Sequence, residues 1–206
     1  MMNSDKSLGE ILEPKPTLEF RPCLTTRMEI FTKRFILRDF IKEDEPAFFA
    51  YRADPRYAEF CTPEELTPNH TRQLLKLFHN WASEHPRRNY QLAIIDRRKA
   101  QELIGCCGLR QEGYDCDNRA EIGIELAPQF WGRYAYAIEI AKALIDFGFH
   151  DLGLQEIRGI SVSANLRVAR LAERYGFVAS ATSSSEGGWD QTEWQLTRQS
   201  WETSIR

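Results

Sequence analysis

The feature that most constrains the fold is the succession of a strand, a helix and a second strand between residues 119 and 163. Residues 119–127, RAEIGIELA, alternate apolar and polar side chains with the period of two that is typical of a strand. Residues 134–149 have the spacing of an amphipathic helix, and residues 155–163 form a second strand. A helical crossover within one sheet is right-handed and leaves its two strands parallel. The sequence therefore predicts a sheet that contains a parallel pair.

Further strands precede this passage and enlarge the sheet. Residues 90–96 and 101–110 are two strands separated by the short charged turn RRKA, which indicates a hairpin. Together with residues 119–127 they form an antiparallel meander, and residues 34–40 supply an earlier strand. The predicted fold class is α/β, with a mixed, mostly antiparallel sheet and helices on both faces.

The remaining elements complete a single domain over residues 27–206, preceded by an N-terminal arm over residues 1–26 that holds three of the nine prolines. We expect the first two helices over residues 44–54 and from Asn69 or Thr71 to Trp81. The last predicted elements are a helix over residues 165–176 that ends at Gly176, the segment FVASATSSS, and a strand over residues 189–197.

Composition excludes several classes of protein. The chain has 206 residues, 42% of them hydrophobic and 28% charged, which is typical of one soluble globular domain. Its longest apolar stretches are broken by charged residues, so we expect no membrane span. The first 20 residues lack the apolar run of a signal peptide, and a cytoplasmic location is the default. Net charge is −3 and the basic residues are scattered, which argues against nucleic-acid binding.

Cysteine and histidine usage points in the same direction. Five cysteines without a CxxC pair suit reduced thiols in a cytosolic protein. Four histidines without ligand spacing predict no metal site.

The glycine turn before the helix at residue 134 is the first candidate for chemistry. In QFWGRYAYA, residues 129–137, a strand end is followed by a helix whose first backbone amides face whatever lies before them. The helix dipole favours an anion there, Gly132 allows close backbone approach, and Arg133 adds a cation. The alternative is a plain strand-to-helix turn.

Asn165 is the second candidate, since it opens a helix directly after a strand. An N-cap and nothing more would also explain it. Its significance comes from the order of features along the chain: strand, glycine loop, helix, strand, Asn-led helix and then Gly176-Phe177.

That order, with the residues that fill it, resembles the GNAT family of acyl-CoA-dependent N-acetyltransferases, and more narrowly its RimJ/RimL-like branch. The resemblance runs from about Arg27 to Trp201. The closing motif of the branch is present with one position compressed. The matching segments are TKRFILRDF, KEDEPAFFAYR, ADPRY, IGCCGL, AEIGIELAPQFWG and WDQTEWQLTRQSW.

The resemblance implies a sheet that splays between its fourth and fifth strands, residues 119–127 and 155–163, and acetyl-CoA as cosubstrate. The pantetheine arm would pair with Leu126 and Ala127, and Asn165 would contact it, with Arg170 one turn along the same helix. The pyrophosphate would lie on the backbone of Gly132, Arg133, Tyr134, Ala135, Tyr136 and Ala137.

The sequence departs from the family at three positions. Aligning Tyr136-Ala137-Ile138-Glu139 with the family's Tyr-Ala-x-Glu makes Tyr134 an inserted residue and Ala135 the last small residue of the loop. Val168 replaces a frequent serine. Ala172 stands where many members have the tyrosine that protonates the leaving thiolate, which a thiol of pKa about 8.5 tolerates.

Transfer to an amine requires a base, and Glu125 and Glu121 on one strand face are the candidates, with Glu125 preferred because it lies nearer the splay. A solvated or salt-bridged strand face is the alternative. The family geometry implies a backbone N–H near Leu126 as oxyanion donor. Cys106 and Cys107 lack a nearby patterned histidine that would make them acylated nucleophiles.

The expected acceptor is a protein N-terminus or a small-molecule amine, and specificity is expected to come from residues 51–81 and 180–194. Trp81, Trp189 and Trp194 either line an acceptor groove or belong to the core. Transfer of another acyl group such as succinyl, or a GNAT-fold protein that binds without catalysis, remain alternatives, and a homodimer is possible.

Overall fold

A computed structural model describes residues 27–99, 102–111, 118–184 and 189–204, and within these ranges the chain forms eight strands and five helices. The predicted N-terminal arm lies outside the described residues. The strands are β1 Glu29–Phe31, β2 Phe35–Asp39, β3 Asn89–Asp96, β4 Glu102–Arg110, β5 Arg119–Leu126, β6 Glu156–Val162, β7 Val178–Ser184 and β8 Asp190–Thr197. The helices are α1 Glu45–Arg52, α2 Pro68–Ala82, α3 Tyr134–Asp146, α4 Leu166–Arg174 and α5 Arg198–Ser204.

All eight strands belong to one sheet in the order β1-β2-β3-β4-β5-β6-β8-β7. Neighbours are antiparallel except β5 and β6, which confirms the predicted parallel pair. This parallel pairing is short, because it joins only residues 119–121 to residues 156–158. Beyond it β5 and β6 separate, as predicted, and among the described residues no strand pairs with the edge of β5 on that side.

Helices cover both faces of the sheet. On one face α1 approaches β4, since the Tyr51 hydroxyl lies 3.7 Å from Cys106 Sγ. On the other face the turn that follows α3 packs on β4 and β6, where a Cβ added at Gly148 would lie 3.0 Å from the side chains of Leu109 and Ile157. The apolar alternation of the strands thus fills a buried core on both sides of the sheet.

Several boundaries differ from the predicted ones. Helix α2 begins at Pro68 rather than at Asn69 or Thr71, because Thr67 is the cap and its hydroxyl accepts the His70 amide at 3.2 Å. Helix α3 ends at Asp146 and continues as a π-helical turn, Phe147–Asp151. Strand β1 and helix α5 were not predicted.

None of the helices in the described ranges is long and apolar enough to cross a membrane.

Candidate active site

A cleft of about 1030 Å³ passes through the sheet where β5 and β6 separate. One part, here called the loop half, lies between the start of α3 and α4 and is lined by Gly132, Arg133, Tyr134, Asn165, Arg167 and Arg170. The other part, the carboxylate half, lies between β5 and helices α1 and α2 and is lined by Arg52, Tyr57, Phe78, Trp81, Arg110, Glu121 and Glu125.

The end of β5 forms the boundary between the halves. The Ala127 amide donates to the Ile104 carbonyl of β4 at 2.9 Å, so the alternation of the ladder directs the N–H and C=O of Leu126 away from β4 and toward the splay. The Leu126 carbonyl accepts from Trp131 Nε1 at 2.7 Å. The Leu126 amide is therefore the backbone donor at the point where the two halves meet.

Ala127 is fully buried, and both of its backbone groups have partners. Its amide is bonded to Ile104, and its carbonyl accepts the Phe130 amide at 2.8 Å. Strand-like pairing of a ligand with Ala127 would require exchange of one of these bonds, whereas Leu126 offers an amide directly.

The glycine loop turns as the sequence predicts. Gly132 has φ +80°, and a Cβ added there would meet no atom within 4 Å, so the loop surface is open at this residue. The turn engages three amides of the predicted pyrophosphate loop: Arg133 donates to Phe130, Tyr134 to Gly132 and Tyr136 to Arg133. The amides of Gly132 and Ala135, in the same loop, have no backbone acceptor among the described residues.

Side chains of the loop divide between surface and core. The Tyr134 hydroxyl donates to the Arg170 carbonyl at 3.0 Å and so ties the start of α3 to α4. Tyr136 is buried and packs edge-on against Phe35 at a centroid distance of 4.9 Å. Tyr134, the inserted residue of the predicted register, therefore bridges α3 and α4 and also lines the cleft.

Arg34 and Glu139 anchor the first turn of α3. Arg34 Nε donates to the Glu139 carboxylate at 2.6 Å, and its Nη2 donates to the Ala135 carbonyl at 2.5 Å. Glu139 also accepts from the Thr32 hydroxyl at 2.7 Å. Although burial opposes ionisation, these hydrogen bonds from Thr32 and Arg34 hold the pKa of Glu139 below its usual value.

Helix α4 presents its N-terminus to the cleft. Asn165 is its N-cap and accepts the Val168 amide at 3.4 Å, so the cap interpretation is correct, and the side chain also lines the cleft. Ala172 is buried, and the tyrosine three residues later, Tyr175, donates its hydroxyl to the Ile138 carbonyl at 2.5 Å. Burial raises the pKa of Tyr175.

Glu125 lies at the centre of a cluster on the carboxylate half. Its Oε1 accepts the Tyr51 hydroxyl and its Oε2 accepts the Tyr57 hydroxyl, each at 2.5 Å. Arg52 Nη1 lies 3.3 Å from Oε2 and 2.7 Å from the Tyr57 oxygen. The Cys106 thiol approaches Oε1 at 3.8 Å. Every acceptor position of this carboxylate therefore faces a donor.

The protonation states of this cluster are set by burial and by the carboxylate. Burial is the main cause that raises the pKa of Tyr51, Tyr57 and Cys106. The charge of Glu125 is the next cause for Tyr57 and Cys106, whereas for Tyr51 the neighbouring Cys106 precedes Glu125. Burial opposes the charge of Arg52, but Glu125 together with Tyr57, Tyr51 and Cys106 outweighs it and raises the pKa of the guanidinium. Both tyrosines therefore remain protonated donors, and the Cys106 thiol is not a thiolate nucleophile.

Glu121, the second predicted carboxylate, has a different environment. It forms an ion pair with Arg110, whose guanidinium lies over Gly123 between the two glutamates and also approaches Gln91 at 3.3 Å. Glu121 takes part in the short parallel pairing with β6, so it lies where the two strands are still joined. Glu125 lies beyond this pairing, where β5 and β6 have separated.

The structure brings together most of the predicted site residues around one cleft. Trp81 and Trp194 line the cleft, and Trp194 is also buried, whereas Trp189 is outside the lining. Sequence reasoning missed the partners of Glu125: Tyr51, Arg52 and Tyr57 belong to segments that match the family, but they lie some 70 residues before Glu125 and no pattern links them to it. Within the described ranges no group of three His, Cys, Asp or Glu side chains could hold a metal ion.

Comparison with known proteins identifies relatives of this chain. The family model of the acetyltransferase (GNAT) domain matches residues 34–178. The uncharacterized N-acetyltransferase YoaA of Bacillus subtilis is 29% identical over 146 residues, which cover 71% of this chain and 80% of that protein. The uncharacterized N-acetyltransferase p20 of Bacillus licheniformis is 27% identical over 129 residues, covering 62% and 70%.

Solved structures share the fold at low identity. A GNAT-family acetyltransferase from Bacillus anthracis has a TM-score of 0.68 at 21% identity, covering 84% of this chain and 99% of that one. Spermidine N-acetyltransferase from Vibrio cholerae in complex with CoA and spermine has a TM-score of 0.68 at 19% identity, covering 83% and 99%.

Proposed function

The chain belongs to the acetyltransferase (GNAT) family, and we propose that it moves the acetyl group of acetyl-CoA to a primary amine by direct attack within a ternary complex. The observation that carries this proposal is the cleft itself, which joins a cationic loop half to a carboxylate half through the gap between β5 and β6. A thioester and an amine entering from opposite faces of the sheet would meet beside Leu126.

The charges of the loop half suit the phosphates of CoA. Three arginines line it, Arg133, Arg167 and Arg170, while the acidic side chains found along the described cleft lining, Glu121 and Glu125, both belong to the other half. Gly132 and the start of α3 supply the close backbone and the positive helix end that favour an anion. The pyrophosphate is proposed to lie on this loop, with the pantetheine arm running along Leu126 toward the splay.

The carboxylate half suits one amine on an apolar body. Its two glutamates are balanced by Arg52 and Arg110, so this half is close to neutral and offers little attraction to an acceptor with several positive charges. Leu74, Phe78 and Trp81 of α2 provide an apolar wall. A protein N-terminus or a small monoamine fits this combination better than a polyamine.

The proposed reaction needs three groups at the boundary. Glu125 accepts the proton of the acceptor ammonium. Glu121 is the less favoured candidate because it lies where β5 and β6 are still paired. The Leu126 amide donates to the developing oxyanion. With Ala172 in place of a tyrosine, the CoA thiolate leaves without a proton from that position.

Finer assignments belong to the same proposal. The motif matches support membership in the RimJ/RimL-like branch, and the default cytoplasmic location and a homodimer are proposed with it.

Cofactor binding is tested by thermal shift with acetyl-CoA, succinyl-CoA and free CoA. Acetyl-CoA at a hundredfold excess over its Kd should stabilise the protein by about 2.7 kcal/mol, a rise of several degrees in Tm. A larger shift with succinyl-CoA would redirect the proposal to another acyl group. No shift with any of the three would contradict the proposed function.

Transfer itself is tested by thiol release from acetyl-CoA over a panel of monoamines, polyamines and N-terminal peptides. Glu125→Gln should lower kcat by about 100-fold, and the matched variant Glu121→Gln should change it by less than about threefold. Equal losses in the two variants would refute the assignment of Glu125, and binding without release would identify a non-catalytic binder.

A further inference from the structure

Glu125 faces the cleft with its acceptor positions already occupied. Tyr51 and Tyr57 each donate to a different carboxylate oxygen at 2.5 Å, and Arg52 and Cys106 take the remaining positions at longer distances. An ammonium that approached this carboxylate directly would have to displace one of these donors. The proton of the ammonium therefore has to reach Glu125 through another group.

The two tyrosines differ in their access to the cleft. Tyr51 is 4% exposed and lies behind the carboxylate against Cys106, whereas Tyr57 is partly exposed and lines the cleft. The Tyr57 hydroxyl donates to Glu125 and accepts from Arg52 Nη1 at 2.7 Å. No further hydrogen bond to it is found within the described part of the chain, and a hydroxyl oxygen has two lone pairs. One acceptor position of the Tyr57 hydroxyl is thus without a hydrogen bond among the described residues, in a side chain that lines the cleft beside Cys61.

We propose that Tyr57 is a catalytic residue that relays the proton of the acceptor ammonium to Glu125. The ammonium N–H gives its proton to the Tyr57 oxygen while the Tyr57 proton passes to Glu125 Oε2. The products of this step are a neutral amine, a neutral tyrosine and a protonated Glu125. The proposal deepens the proposed function and rests on it.

The surroundings of Tyr57 favour this direction of transfer. Arg52 is 7% exposed, and its Nη1 donates to the Tyr57 oxygen at 2.7 Å, which holds the hydroxyl in place against Glu125. At the Tyr57 hydroxyl the charge of Glu125 acts more strongly than the opposing charge of Arg52, so a proton that reaches the tyrosine is drawn on toward the carboxylate. Since the pKa of Tyr57 is raised, the hydroxyl always holds a proton to pass on.

The experiment compares Tyr57→Phe with the matched variant Tyr51→Phe. Both remove one hydroxyl donor to Glu125, but only Tyr57→Phe removes the relay. With an alkylamine that wild-type enzyme accepts, Tyr57→Phe should lower kcat about 100-fold at pH 7, and the loss should shrink as pH rises toward 10 and the amine becomes neutral without help. Tyr51→Phe should lower kcat less than about fivefold, with a pH profile parallel to that of wild type.

An acceptor that needs no deprotonation gives an independent readout. With an arylamine, whose nitrogen is already neutral at pH 7, Tyr57→Phe should keep kcat within about fivefold of wild type. Acetyl-CoA thermal shifts establish that both variants are folded and bind cofactor. A loss in Tyr57→Phe that equals that of Tyr51→Phe, or that is the same at every pH and with both acceptors, would overturn the relay alone. A wild-type protein that binds acetyl-CoA but acetylates no amine overturns the proposed function and the relay with it.

Discussion

The two halves of the cleft are built in different ways. The loop half is formed mainly by consecutive backbone, with Gly132 at its turn and exposed arginines around it. The carboxylate half is formed by side chains from α1, the segment after it and β5, held by a partly buried ion pair and two tyrosine hydroxyls. Changes in the carboxylate half should therefore affect stability and turnover, and changes in the loop half should affect cofactor affinity.

The largest effect on stability is expected from Arg52→Met. The guanidinium is 7% exposed and bonds Tyr57, Glu125 and the Glu65 carbonyl, so its loss leaves the Glu125 carboxylate without its countercharge. Breaking such a pair should lower the free energy of unfolding by about 3 kcal/mol. Urea denaturation measures this, and thermal shift with acetyl-CoA should show cofactor affinity unchanged.

Arg110→Met is the control for that change. Its ion pair with Glu121 is more exposed, 29% and 25% for the two side chains, and should contribute only about 1 kcal/mol. The double variant Arg52→Met with Glu125→Gln should be less destabilised than the sum of the single changes. Additive losses would mean that Arg52 stabilises the fold independently of Glu125, and that the contrast between the halves does not rest on this pair.

A smaller effect on stability, but a specific one on affinity, is expected from Gly132→Ala. The residue has φ +80°, which costs an alanine about 1 kcal/mol, and the added Cβ meets no atom of the protein. Gly153→Ala provides a matched control, since Gly153 has φ +70° and equally open surroundings but lies outside the cleft lining. Both variants should lose about the same stability, and only Gly132→Ala should weaken acetyl-CoA binding, by about tenfold in a titration. Equal affinities would remove the loop from the cofactor site.

The difference between the loop half and the carboxylate half also explains which features the sequence predicts well. Strand alternation and the crossover rule predict the sheet and its parallel pair, because these depend on local pattern and chain direction, whereas the gap beside Glu125 is an expectation from the family resemblance. The glycine loop and the cap at Asn165 are also local. The partners of Glu125 are not, since nothing in residues 51–57 distinguishes tyrosines that will meet a carboxylate on β5 from tyrosines of the core. Likewise α2 begins at Pro68 with Thr67 as its cap, which periodicity alone does not show.

The smallest effect concerns how the loop half is anchored. The pKa of Glu139 is lowered in the folded protein by hydrogen bonds from Thr32 and Arg34 that outweigh its burial. A carboxylate with a lowered folded pKa contributes stability above its unfolded pKa of about 4.3 and loses that contribution as pH falls through the folded value. Glu139→Gln should therefore cost roughly 0.5–1 kcal/mol at pH 7 in urea denaturation, and the difference from wild type should vanish at the acidic end of a series from pH 7 to 3.

Glu156, at the far side of the sheet, is the control for this anchoring. Burial opposes its ionisation, but Arg158 and Gln195 lower its pKa, as Thr32 and Arg34 lower that of Glu139. Glu156→Gln should show the same pH dependence of stability without any change in acetyl-CoA affinity. Glu139→Gln should weaken acetyl-CoA binding by about twofold to threefold, since Arg34 bridges Glu139 and the Ala135 carbonyl in the first turn of α3. If both variants leave affinity unchanged, the start of α3 keeps its position without Glu139, and the loop half owes its geometry to Gly132 and the turn alone.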